Sequence, residues 1–298
     1  MQPRGVVNPS AAGAVLRTVA RGALILLLSG LLGASLVRLA PGFGMDEGAL
    51  DARYSAASRQ ALNRERERTR QIGAIAFYYA YVAGLARGEM GRSALFDRPV
   101  RDLISERAPR TVRSVFSGLA MGWLTALVLA ALAAAGRRTA ATLVAALLSS
   151  SLLSIPSAVV ASVCLLLGLP PAAAIAAVVL PQVFSHATEQ IRAASGGAHV
   201  IMARARGLRA ARVFVFYVAP ATFAPLLAVL GVSVTLAFGA AIPVEALADS
   251  PGLGQLAWQA ALGRDLPLLV SITLLLTAVT VLANSMAEIL ATGVQPTS

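Results

Sequence analysis

The sequence predicts an all-α membrane protein with six transmembrane helices and with both termini in the cytoplasm. Hydrophobic residues make up 57% of the chain, and charged residues only 13%. Several uncharged runs exceed the roughly 18 to 20 residues that cross a bilayer. Ten arginines lie in short segments on one side of these runs, which is the distribution described by the positive-inside rule.

The first apolar run, residues 22–37, follows an amino terminus that is basic and contains no acid. A removable signal peptide is an alternative, because the run is short and small residues follow at positions 33–35. Val15 and Val19 favour a retained helix, since they extend it on the inner side. The predicted spans are residues 22–37, 111–135, 139–167, 172–191, 213–242 and 268–290.

These spans divide the chain into four parts. Residues 1–37 are the cytoplasmic amino terminus and the first span, and residues 292–298 are a cytoplasmic tail. Residues 38–110 carry 13 arginines and nine acids, and this long polar region is predicted to be external and helical. Residues 111–291 form a core of five helices, with an inner loop at 192–212 and an outer loop at 243–267. A kink is expected near Pro156.

Arginine counts set the orientation. The outer short segments contain only Arg264, whereas the inner ones contain ten arginines, so the inner loop should face the cytoplasm. The ten are Arg4, Arg17, Arg21, Arg137, Arg138, Arg192, Arg204, Arg206, Arg209 and Arg212.

The residue inventory excludes several kinds of chemistry. All 25 basic residues are arginine, so the chain cannot build a phosphate-binding loop that ends in lysine, and any ATP must be bound by another subunit. With one cysteine, Cys164, and two distant histidines, neither a disulfide nor a metal site is expected. We predict no cofactor and no catalytic site in this chain. The net charge of +11 is explained by membrane topology, and no nucleic-acid partner is expected.

The inner loop contains Gly207 among good helix formers, which predicts a tight bend or a close backbone approach. The loop is therefore interpreted as a docking surface for a soluble partner as well as a patch of charge.

Two other functions are alternatives to a membrane protein that docks a soluble partner. An ion-coupled transporter or channel usually places acids or histidines at the middle of the membrane. His186, one helical turn from Glu189, is the residue that leaves an ion-coupled function open. A membrane enzyme or scaffold is the third reading, although no grouping of nucleophile, base and orienting residue is visible.

Three blocks of sequence carry a resemblance to a known family. The first comprises residues 38–42, 87–93, 98–100 and 106–109, with the letters RLAPG, RGEMGRS, RPV and ERAP. The second is the inner loop followed by Pro225, and the third comprises residues 244–245, 251–254 and 264–267. In this order they resemble the inner-membrane permease subunits of binding-protein-dependent ABC importers, in the dipeptide, oligopeptide and nickel branch.

The resemblance implies the type I importer permease fold in a bacterial inner membrane. It implies a second, similar permease subunit, two cytoplasmic ATPases and an external solute-binding protein, besides the surrounding lipid. It also implies that a short helix around residues 203–212 lies in a cleft of one ATPase. The residues carried over for this contact are Ala203, Arg204, Ala205, Arg206, Gly207 and Leu208.

In the outer loop, the resemblance implies an external gate or a contact with the binding protein. The residues concerned are Glu245, Pro251, Gly252, Leu253, Gly254, Arg264, Asp265 and Pro267. From the residues alone, the glycines at 252 and 254 are predicted to form a turn that needs positive φ.

The sequence also departs from the family pattern. Ile201, Met202 and Ala203 stand where the docking motif of ABC importers in general begins Glu-Ala-Ala, although the peptide branch often lacks that glutamate. The outer connection at residues 168–171 is short, and the tail lacks the usual Asp-Pro-Arg ending.

Overall fold

The structure, a computed structural model, describes residues 20–32, 35, 78, 83–84, 87, 89–134 and 155–294. These residues are mostly helical, and an isolated antiparallel bridge joins Arg92 to Pro99. The helices are α1 (Ala20–Leu32), α2 (Val100–Ala134), α3 (Ser157–Leu166), α4 (Pro171–Ser195), α5 (Ala198–Ala205), α6 (Ala210–Val213), a π-helical turn (Phe214–Val218), α7 (Ala219–Leu247), α8 (Leu253–Leu262) and α9 (Leu266–Val294).

Within the described residues, four helices are long and apolar enough to cross a membrane. They are Val100–Ala134, Pro171–Ser195, the continuous helix Ala210–Leu247, and Leu266–Ala291. Each overlaps one predicted span. This confirms that the described part of the chain is built of helices and has several segments able to span a membrane.

The other two predicted spans are described in part. Apolar helices Ala20–Leu32 and Ser157–Leu166 lie within or at the edge of them. Pro156 directly precedes α3, and the kink predicted near it stays a prediction, because residues 135–154 lie outside the described residues. The rest of these spans, the basic turn at 136–138, most of the polar region at 38–110 and the end of the tail lie outside the described residues. The total of six spans and the orientation therefore stay predictions.

Two helix boundaries differ from the predicted spans. Helix α2 begins at Val100, well before residue 111, and its 35 residues reach about 50 Å at 1.5 Å per residue. That is longer than a bilayer core of about 30 Å, so one end must project beyond it. Helix α7 continues through Pro243 to Leu247, although a proline inside a helix removes one backbone hydrogen bond and its ring crowds the carbonyl four residues earlier.

The chain divides into two compact units. The first contains the chain up to Glu106 together with Ala257–Val281, and the second contains Arg107–Leu256 together with the chain from Leu282. In the first unit, the hydroxyl of Tyr78 donates a hydrogen bond of 2.8 Å to the Leu27 carbonyl of α1.

The core of the second unit is built from α2, α3, α4 and α7. Small residues permit close helix packing there: a Cβ on Gly118 of α2 would lie 2.8 Å from the Ala172 carbonyl of α4, and one on Gly122 would lie 3.1 Å from that of Ala176. Ile175 and Val179 of α4 are fully buried. This spacing of glycines four residues apart is typical of helix pairs packed in membranes.

Candidate functional site

The inner loop, residues 192–212, folds around α5. Val200 and Ala203 are buried in the core of the second unit, and they fix α5 to the rest of that unit. Five arginines of the loop are exposed, and among the described residues no acidic side chain forms an ion pair with them. They are Arg192, Arg204, Arg206, Arg209 and Arg212. With no acid between positions 190 and 212, the loop is a concentrated positive surface.

Gly207 ends α5 in a left-handed conformation, with φ of 76°. Its N–H bonds to the Arg204 carbonyl at 2.9 Å, and the Leu208 N–H bonds to the Ala203 carbonyl at 3.4 Å. This pair of bonds is the Schellman motif, in which glycine avoids the steric cost of positive φ. The bend expected at Gly207 is thus present, and α6 begins three residues later at Ala210.

The short helix of the loop lies earlier than predicted. It covers Ala198–Ala205 rather than the region 203–212, since the turn at Gly207 separates it from α6. Ala203 was carried over as part of the ATPase contact, but it is 3% exposed and packs inside this chain. Leu208 is half-buried against the same core. Arg204, Ala205, Arg206 and Gly207 are exposed.

A second cluster surrounds Glu245, a fully buried carboxylate near the end of α7. One carboxylate oxygen accepts hydrogen bonds from the Thr111 hydroxyl at 3.0 Å and from the Gly254 N–H at 2.7 Å. The other accepts a bond from Ser114 at 3.3 Å. The Thr111 oxygen in turn accepts the Leu253 N–H at 2.7 Å. Glu245 therefore satisfies the free N–H groups at the start of α8 and ties that helix end to α2 and α7.

The glycines of the outer loop serve this cluster, and the prediction of positive φ for them is wrong. A Cβ on Gly252 would collide with the Glu245 carboxylate, and one on Gly254 would lie 2.5 Å from the Ala241 carbonyl of α7. Positive φ is found instead at Asp249 (48°) and Arg264 (51°). The sequence thus requires glycine for close approach and not for a left-handed turn.

A third cluster, in the first unit, surrounds Asp265. Its side chain caps α9, because one oxygen accepts the Leu268 N–H at 3.1 Å. The other accepts the Ser93 hydroxyl at 2.5 Å and the Leu95 N–H at 2.9 Å. The turn that begins at Ser93 is thereby fixed to the start of α9.

Both carboxylates lie in the interior, with 0% exposure for Glu245 and for Asp265. Neither carboxylate reaches the surface of this chain, where a binding protein would have to contact it, and their alternative assignment to an external gate stays a prediction. Gly252, Leu253 and Gly254 are also buried, while Pro251, Arg264 and Pro267 are half-buried. These residues shape the backbone between α7 and α9.

Residues 93, 111 and 114 take part in these clusters, and sequence reasoning gave them no role. Ser93 lies 172 positions from Asp265, and Thr111 lies 134 positions from Glu245. Hydroxyl residues are common in this chain, and no local spacing distinguishes these three.

His186 and Glu189 are the residues that left an ion-coupled function open, and both are exposed on α4.

Within the described residues, no group of three or more histidine, cysteine, aspartate or glutamate side chains could hold a metal ion. The clusters at Glu245 and Asp265 consist of a carboxylate surrounded by hydrogen-bond donors. Such arrangements stabilise helix ends and offer no open position for a ligand.

Several apolar helices long enough to cross a membrane are the mark of an integral membrane protein. A family described as the inner membrane component of binding-protein-dependent transport systems matches residues 126–297, and this chain belongs to it. Family membership implies that the protein works with a solute-binding protein and with ATPase subunits.

Among curated proteins, the chain is similar to the oligopeptide transport system permease protein OppB of Haemophilus influenzae. The two are 24% identical over 240 residues, which cover 74% of this chain and 78% of the relative. The resemblance to the peptide branch of ABC importer permeases is confirmed by these two matches.

Proposed function

We propose that this chain forms half of the translocation pathway of an ATP-driven importer for peptides or a similar small solute. Support for a peptide cargo comes from the similarity to an oligopeptide permease. The other half is a second, similar permease subunit, and two cytoplasmic ATPases supply the energy. The membrane is a bacterial inner membrane.

The observation that carries the coupling role is the inner loop. Helix α5 is anchored by Val200 and Ala203, ended by the turn at Gly207, and surrounded by exposed arginines. A short rigid helix with a basic rim can transmit the movement of a soluble partner to the spans that flank it, α4 and Ala210–Leu247. ATP-driven closure of the partner subunits then rocks those spans between inward and outward states.

Substitutions at Gly207 test the coupling role. No atom of the chain lies within 4 Å of a Cβ placed there, so a side chain at this position clashes with nothing in the protein itself. Gly207→Asn is the matched control, because asparagine tolerates positive φ and adds no charge. Gly207→Asp has nearly the same shape and adds a negative charge to a loop that has none.

We expect Gly207→Asp to reach the membrane in normal amounts but to lose solute-stimulated uptake while ATP hydrolysis continues uncoupled. Gly207→Asn should retain most of the uptake. The assay is uptake of a radiolabelled peptide into vesicles with ATP inside, with ATP hydrolysis measured in the same preparation. Normal uptake by Gly207→Asp would contradict the proposal.

The six-span topology with both termini inside is the second part of the proposal. The single native cysteine, Cys164, is buried and can be replaced by alanine to give a background without thiols. A cysteine at position 206 should then be protected from a membrane-impermeant maleimide added outside intact cells, and one at position 264 should react. The opposite pattern of maleimide labelling would show that the orientation is the reverse of the proposed one.

The outer loop at 243–267 is proposed to face the solute-binding protein through its exposed residues. Trp258 and Leu262 of α8 are 51% and 66% exposed, whereas the buried carboxylates hold the loop's backbone. Aromatic residues with exposed rings are common in protein contacts. Loss of binding-protein-stimulated hydrolysis in Trp258→Ser, with basal hydrolysis unchanged, would support this contact, and unchanged stimulation would argue against it.

A further inference from the structure

The exposed side of α5 carries an apolar strip. Ile201 and Met202 are 58% and 63% exposed, and Ala205 is exposed as well. A helix turns 100° per residue, which puts these three on the side opposite to the buried Val200 and Ala203. The strip therefore points away from the protein's own core.

The surroundings of the strip are basic. Arg204 and Arg206 lie beside it, and Arg209 follows the turn at Gly207; all three are exposed. The strip and the arginines belong to one short segment that contains no acid. An apolar centre with a charged rim is the usual composition of a protein interface.

From the exposed apolar strip and its basic surroundings we propose that Ile201 and Met202 are the anchors of the docking surface. They insert into an apolar pocket of the ATPase subunit, and the rim of that pocket is acidic. This inference rests on the proposed coupling role of the loop and names the partner's chemistry. The energy of association comes mainly from the two apolar side chains, because buried anchors dominate interfaces. The arginines set the orientation and the rate of association, since rim charges act mostly on encounter.

A protein partner explains the strip better than a lipid surface does. A helix lying on a membrane directs its apolar face into the bilayer and its charged face to water. In α5 the face opposite the strip is already buried by Val200 and Ala203, so the helix is held by protein and the strip faces outward. The opposite charge needed to complement five arginines is supplied by an acidic rim.

The test measures binding of the cognate, purified ATPase subunits to the full permease complex in nanodiscs, as a function of salt. Met202→Gln keeps the length of the side chain and adds polar groups, and Met202→Leu is the apolar control. We expect Met202→Gln to weaken binding about tenfold or more with the same salt dependence as the wild type. Met202→Leu should bind within about threefold of it.

The double variant Arg204→Gln with Arg206→Gln should behave differently. Its affinity should fall mainly at low salt, and the slope of log Kd against log salt should become shallower. Equal binding by Met202→Gln and the wild type would overturn the proposal, as would a loss confined to nanodiscs that contain phosphatidylglycerol, which would assign the strip to lipid. A wild-type complex that binds no ATPase at all would instead refute the coupling role itself.

Discussion

Removing the Glu245 carboxylate tests the architecture of the outer loop most directly. In Glu245→Ala, the Gly254 N–H, now bonded at 2.7 Å, loses its acceptor inside the protein, at a cost of about 1–3 kcal/mol. The Thr111 hydroxyl loses its 3.0 Å bond, which adds about 1 kcal/mol. Ser114 loses little, because the single hydrogen of its hydroxyl can be donated to the Thr111 carbonyl, 3.1 Å away, instead.

The expected local destabilisation is about 3 kcal/mol, or roughly a hundredfold at 1.4 kcal/mol per factor of ten. Hydrogen–deuterium exchange of the purified complex measures it at the start of α8. The amides of residues 253–256 should exchange about a hundredfold faster in Glu245→Ala. Amides of the α4 core and of the Leu268 cap should not change.

Glu245→Gln provides a graded comparison. Its amide oxygen can still accept the Gly254 N–H and the Thr111 hydroxyl, but its NH₂ group replaces the oxygen that accepts the Ser114 hydroxyl, which must rotate. We expect an intermediate acceleration, about tenfold. Unchanged exchange at residues 253–256 in the alanine variant would refute the role assigned to this carboxylate.

Three further predictions concern single contacts. Gly252→Ala should lower the thermal stability of the wild-type protein in detergent, because its Cβ would collide with Glu245. The same substitution should be tolerated in a Glu245→Ala background. Additive losses of thermal stability in the double variant would contradict this. Asp265→Asn replaces one of the two carboxylate oxygens by an NH₂ group, which cannot accept a bond from an N–H. Hydrogen exchange should therefore become faster at either Leu95 or Leu268, and exchange as slow as in the wild type at both amides would argue against this. Gly118→Val should lower the midpoint of thermal aggregation by several degrees because α2 cannot approach α4, whereas an unchanged midpoint would show that α2 and α4 can move apart without cost.

The helical, membrane-spanning nature of the chain could be predicted because it depends on local quantities. A run of apolar residues long enough to cross a bilayer has few alternatives, since every backbone group must bond within its own segment. The bend at Gly207 was predictable for a similar reason: glycine is the residue that adopts positive φ without steric cost. The place of the Gly207 loop in the order of motifs indicated the family.

The roles of the acids could not be predicted in this way. A glutamate two residues after a proline and shortly before a loop has the sequence pattern of an exposed acid. Glu245 is buried because α7 extends past Pro243 and brings its carboxylate to the free N–H groups of α8. Arg264 and Asp249 adopt positive φ despite their side chains, since the surrounding hydrogen bonds at these helix ends favour it.

By itself, then, the sequence determined the helical class, the membrane spans confirmed here, the absence of an ATP site ending in lysine, and the position of a basic loop with a glycine bend. Tertiary structure decided which face of α5 is exposed, which residues meet the buried carboxylates, and why Gly252 and Gly254 are glycines. The first group follows from composition and short-range geometry. The second depends on contacts that are made only in the fold, some of them between residues more than 100 positions apart, and no local pattern encodes them.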